Sequence, residues 1–151
     1  MHKLIAFAGV FTIFSLSPAL AATVTDAECA AEWKKADVNA DGFVSETEGS
    51  RYYATLRVAN TPVANGKMDQ TLFLQNCKTG AFIKANLQPG TPMKGSNSFT
   101  EGQAKDRIIA AGMTSVSALK KDDDGIWRGT ANDGTKVVNI AVDFKGNVVA
   151  N

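Results

Sequence analysis

Over residues 37–48 the chain reads Asp-Val-Asn-Ala-Asp-Gly-Phe-Val-Ser-Glu-Thr-Glu. Asp37, Asn39 and Asp41 put a short oxygen-bearing side chain at every second position, so a curling backbone can aim all three at one centre. Gly42 permits the sharp turn that such curling needs. Phe43 offers a backbone carbonyl, and Ser45 and Glu48 add a hydroxyl and a carboxylate. A hard divalent cation takes six to eight oxygens, and a glutamate can supply two of them at once. The chemistry suggested is cation binding, with calcium favoured over magnesium because a long oxygen cage suits the larger ion. The same Asp, Asn and Gly residues could instead build a capped turn that binds nothing.

Other chemistries find little support. The only histidine is His2, and it sits in a segment expected to be removed. Residues 1–22 carry a short positive start at His2 and Lys3, an apolar run over 4–16, then small residues at Ala19 and Ala21. This is the pattern of a signal peptide cleaved after Ala21 or Ala22. The apolar run is too short to span a bilayer, which takes about 20 residues. No second apolar run of that length follows, so no membrane span is expected after cleavage. Without the leader the chain has no Ser/His/Asp triad, no Cys/His pair and no histidine-ligated zinc or haem. No catalytic residues are expected, and the chain reads as a non-enzyme. Lys and Arg total 16 against 15 Asp and Glu, and losing Lys3 with the leader makes them equal. That balance argues against an electrostatic binder of nucleic acid or of anionic membranes.

Export changes how the cysteines read. Cys29 and Cys77 are the only two, and an even count in an oxidising space points to a disulfide. Closing that loop would contribute about 4 kcal/mol in the chain-entropy view. Zinc is disfavoured, since two thiolates without histidine leave half of a tetrahedral shell unfilled. The short apolar run and the alanine-rich cleavage site look bacterial, which points to the periplasm.

The oxygen-bearing segment resembles an EF-hand calcium loop. The resemblance implies Asp37, Asn39 and Asp41 at loop positions 1, 3 and 5, the Phe43 carbonyl at 7, Ser45 at 9 and a bidentate Glu48 at 12. Val44 then stands where such loops carry the apolar residue that pairs with a partner loop. A second hand is expected around Gly66, with Thr61, Val63, Asn65 and Leu72 at the corresponding positions. Val63 and Leu72 cannot ligate a cation, so this hand reads as degenerate, kept for packing with Met68 against Val44. One calcium ion per chain is the expectation.

The elements that must position these residues follow from periodicity. Cys29, Trp33 and Ala36 fall on one helical face, as do Tyr52, Leu56 and Ala59, and as do Phe73 and Cys77. A shared helix over 46–59 would join the two loops. Residues 23–85 are therefore read as an EF-hand domain. Residues 86–98, with Pro89, Gly90, Pro92 and Gly95, read as a linker. Residues 99–151 form a second unit. Thr100 and Gln103 make a capping box for a helix with Ala104, Ile108 and Ala111 on its apolar face, ended by Gly112. Val138, Ile140, Val142 and Phe144 then alternate with Asn139, Ala141 and Asp143, and three glycine turns at Gly125, Gly134 and Gly146 separate strands. The fold class expected is α+β: a helical EF-hand pair followed by a small helix-plus-antiparallel-meander domain.

Residues 99–151 resemble a PepSY-like domain, through Phe99 to Ala104, Ile108, Ala111-Gly112, the run from Leu119 to Gly129, Asp133-Gly134 and Val142-Asp143. The resemblance implies a non-catalytic recognition module, with a periplasmic protease or another envelope protein as its partner. The chain thus reads as a periplasmic calcium-binding protein, expected to be monomeric. The alternative is a protease inhibitor or modulator acting through the PepSY-like half. The Asp122-Asp123-Asp124-Gly125 run reads as a solvated hairpin tip balanced by Lys120 and Lys121, rather than as a second cation site.

Overall fold

Thr25 starts the first helix by accepting a hydrogen bond from the Glu28 amide while the Glu28 carboxylate accepts from the Thr25 amide, a reciprocal cap. The computed structural model describes residues 24–82, 87 and 90–151; the expected signal peptide lies outside the described residues. Helix α1 (Asp26–Ala36) leads into strand β1 (Phe43–Ser45), helix α2 (Ser50–Val58), a short turn at Ala64–Gly66, strand β2 (Lys67–Asp69) and helix α3 (Gln70–Lys78). Strands β1 and β2 pair antiparallel, with Val44 opposite Met68, and both side chains are fully buried. Around them lies the first core, with Cys29, Trp33 and Ala36 from α1, Tyr52 and Leu56 from α2, and Phe73 and Cys77 from α3. Phe73 is its hub: the rings of Trp33 and Tyr52 meet it edge-on at centroid distances of 5.3 and 4.9 Å. A disulfide joins Cys29 to Cys77, with Cα atoms 5.7 Å apart.

The helix expected over 46–59 is shorter than the sequence suggested. It begins at Ser50 because the Glu48 carboxylate holds both the amide and the hydroxyl of Ser45, which fixes residues 45–48 as a turn. It ends at Val58, so Ala59 falls past the last turn and is exposed.

The second half opens with helix α4 (Glu101–Ala110), capped reciprocally by Thr100 and Gln103. Four antiparallel strands follow: β3 (Lys120–Lys121), β4 (Trp127–Asn132), β5 (Val137–Val142) and β6 (Val148–Ala150), neighbours in that order. Ala104 and Ile108 of α4 pack with Val138, Ile140 and Val142 of β5 in a second core. Glycines with positive φ sit in all three hairpin turns, Gly125, Gly134 and Gly146. The architecture is α+β, four helices with a two-stranded and a four-stranded antiparallel sheet among the described residues. None of these helices is long and apolar enough to cross a membrane.

The described part of 86–98, expected to be a linker, is fastened to the second half. The Gly95 amide donates to the Asp124 carbonyl at 3.0 Å, the Met93 amide donates to Asp143, and Lys94 pairs with Asp124. A Cβ on Gly125 would fall 2.0 Å from the Gly95 oxygen, so glycine is required for the two segments to meet. Proline and glycine reported correctly that no helix or strand forms here. They do not report contacts, and glycine makes close ones possible.

The halves also touch directly, because α2 packs along α4. Arg57 of α2 grips Asp106 of α4 through Nε and Nη2, at 3.0 and 2.7 Å, and reaches Glu46 through Nη1 at 2.7 Å. The hydrogen bonds that Arg57 donates to Asp106 raise its pKa further. Arg57 is 42% exposed, so solvent screens this cluster and Arg57→Ala is expected to cost no more than about 1 kcal/mol. Urea unfolding of the variant should stay a single transition, since the close packing of α2 along α4 remains.

Candidate metal centre

The candidate loop runs from the end of α1 to the turn before α2. Asp37 is the C-terminal cap of α1 and is largely buried. Its carboxylate turns into the loop and accepts from the Asp41 and Gly42 amides, both at 3.1 Å. Asn39 Oδ1 accepts from the Asp41 amide at 2.9 Å, and Asp41 Oδ1 accepts from the Phe43 amide at 2.9 Å. These bonds curl the backbone tightly, which forces Ala40 and Gly42 to positive φ, 56° and 84°. Beyond β1, Glu48 Oε2 accepts from the Ser45 amide at 2.9 Å and from its hydroxyl at 2.5 Å. The Ser45 hydroxyl and amide, with a smaller contribution from the Asn39 amide, hold the Glu48 carboxyl below its ordinary range.

Of the six expected ligand residues, Asp37, Asn39 and Asp41 precede β1, Phe43 and Ser45 are its ends, and Glu48 follows it. Among the described residues, no three Asp, Glu, Cys or His side chains stand together as a metal-binding group. Asp37, Asn39 and Asp41 are directed onto loop amides and Glu48 onto Ser45, rather than at a common point. The donor set itself suits a hard cation, being entirely oxygen.

The second loop has no comparable donor set. Val63 and Leu72, at the positions where oxygen would be needed, pack against the first core. Asp69 is used as the cap of α3, accepting from the Leu72 amide at 2.8 Å. Tyr53 ties the loops together from α2: its hydroxyl donates to the Val44 carbonyl at 2.6 Å and lies 3.0 Å from that of Gly66.

The acidic run at the β3–β4 turn has structural employment. Asp122 accepts from the Asp124 and Ile126 amides and pairs with Arg128 at 2.5 Å. Asp124 pairs with Lys94. The charges paired with the run are Arg128 and Lys94, while the Lys121 ammonium donates to the Asn97 carbonyl at 3.1 Å and stands over the Trp127 ring. Sequence reasoning had no signal for Lys94 or Arg128, because both partners arrive through tertiary packing. No protein-family model, curated protein or solved structure matches this chain.

Proposed function

We propose that the protein is a non-catalytic calcium-binding protein holding one ion in the loop of residues 37–48. Asp37, Asn39, Asp41, Ser45 and Glu48 would supply side-chain oxygens and Phe43 its carbonyl. The observation that carries this reading is the curl of the loop around the Asp37 carboxylate, which accepts from the Asp41 and Gly42 amides with Ala40 and Gly42 at positive φ. The bound ion would offset two of the three carboxylate charges of Asp37, Asp41 and Glu48 and tie the end of α1 to the turn before α2. The Val44–Met68 pairing supports reading the two loops as an EF-hand pair whose second member is degenerate. The helix on four strands supports reading residues 99–151 as a PepSY-like recognition module. The disulfide favours an oxidising compartment, and the periplasm is the one proposed.

Calorimetry tests the reading. One calcium ion should bind per chain, with a Kd on the order of 10⁻⁴–10⁻³ M, the range of extracellular modules. Glu48→Gln removes one carboxylate oxygen and should abolish the heat at millimolar calcium. At a hundredfold excess over Kd, the ion should stabilise the fold by about 2.7 kcal/mol. Because α2 and α4 are packed together, melting should shift as one transition rather than separate into two. No binding at millimolar calcium would remove the proposal, and two ions per chain would show that the second loop ligates.

A further inference from the structure

A separate feature lies where the halves meet. Between α2 and α4 is a cleft of about 180 Å³, lined by Arg57, Asn60, Phe99, Gln103, Asp106 and Arg107 together with Val58. Liquid water occupies about 30 Å³ per molecule, so the cleft has room for one small polar group but not for a drug-sized ligand, which needs 300 Å³ or more.

Its charges are unevenly satisfied. Arg57 and Asp106 neutralise each other through paired hydrogen bonds. Arg107 makes no ion pair among the described residues, and its Nε is buried without a hydrogen-bond partner. The Arg107 guanidinium is nonetheless held in place. It stacks 4.2 Å from the centre of the Phe99 ring and lies against Gly146, where a Cβ would come within 2.8 Å of its Cζ. Gln103 uses its carbonyl oxygen to accept from the Thr100 amide, which leaves its NH₂ group free to donate. Asn60 brings a second side-chain amide to the same cleft.

We propose that this cleft binds a small oxyanion, a carboxylate or a phosphate group, with Arg107 as its anchor and Gln103 and Asn60 as added donors. The reason is economy of orientation. A guanidinium already fixed by stacking loses little freedom on binding, and its planar fork matches two oxygens of an oxyanion. Glu46, the other partner of Arg57, is outside the lining and 59% exposed. The lined surface therefore carries one positive charge in excess. None of the lining residues belongs to the 37–48 loop, and Arg57 reaches that loop through Glu46, which is not among the six proposed calcium ligands.

NMR on the isotopically labelled full chain, in calcium-free buffer, tests it through the Arg107 side-chain Nε–H signal. Inorganic phosphate and acetate are titrated separately, each against sodium chloride at matched ionic strength. The expected result is a saturable shift of the Arg107 signal with one or both anions, at a Kd of about 1 mM. The arm that saturates at the lower concentration identifies the anion class. Gln103→Glu keeps the helix cap, because glutamate serves equally in that box, yet places a negative charge in the cleft. It should weaken binding about ten-fold while leaving the thermal midpoint near that of the natural chain. Arg107→Gln, followed through the Asn60 and Gln103 side-chain amide signals, should show no saturable shift with either anion. Shifts that fail to saturate, or that chloride reproduces, overturn the proposal. So does a folded Gln103→Glu protein that binds as tightly as the natural chain.

Discussion

Removing the Cys29–Cys77 disulfide, by reduction or by replacing both cysteines with alanine, is expected to destabilise the protein by about 4 kcal/mol. The bridge joins α1 to α3 across the first core, and the whole cation loop lies within the chain it closes. Without it, the ends of the first half are held by the packing of Trp33 and Phe73 and by an exposed Lys78–Asp26 pair. An exposed pair contributes little, so the loss should be felt almost in full. Urea unfolding of the oxidised and reduced proteins measures it. A difference below about 1 kcal/mol would mean that helix packing alone sets the stability of this half.

The second large effect is expected at Asp143, which is 1% exposed at the end of β5. Its Oδ1 accepts from the Lys145 and Asn147 amides at 2.9 and 3.0 Å. Its Oδ2 accepts from the Met93 amide at 3.3 Å and from Asn147 Nδ2 at 2.9 Å. Burial pushes the carboxyl up, but the Asn147 side chain and these amides outweigh it and hold it below the ordinary range. Asp143→Asn keeps the shape and turns one acceptor into a donor facing two donors, at a cost of about 3 kcal/mol. The pH dependence has a definite sign. A carboxyl whose folded pKa is depressed contributes stability that is present above its unfolded value, near 3.9, and is lost as pH falls through the folded one. The gap between the natural protein and Asp143→Asn should be full at pH 7 and shrink below about pH 4. A gap of the same size at pH 2.5 would show that charge is not what Asp143 contributes.

Local patterns carried much of this fold. Thr100 and Gln103 announce α4, and both halves of their cap are made. Cys29, Trp33, Ala36, Phe73 and Cys77, placed inward by helical period alone, are all buried. The alternation of Val138, Ile140 and Val142 names the core face of β5 correctly. The pattern fails where a neighbour arrives from far along the chain. Ala141 and Asp143, read as the outward set of that strand, are buried, and the Met93 amide meets Asp143 there. Nothing local to residue 143 says that a segment fifty residues earlier will donate to it. At the candidate centre, the sequence supplies the donor types and Gly42 supplies the turn. The directions of Asn39, Asp41 and Glu48 depend on which amides compete for them, and spacing does not encode that. The oxyanion cleft was invisible for the same reason, since Gly146 meets Arg107 from a distant turn and Asn60 joins them only where α2 packs along α4.

The disulfide also bears on how the chain matures. With two cysteines, only one intramolecular pairing exists, so oxidation has no scrambled isomer to correct. The only wrong product is a covalent dimer between two chains, and its rate rises with concentration while the correct closure does not. Maturation of this protein therefore needs an oxidant but no reshuffling. Its yield is set by dilution and by how quickly the core around Phe73 brings Cys29 and Cys77 together.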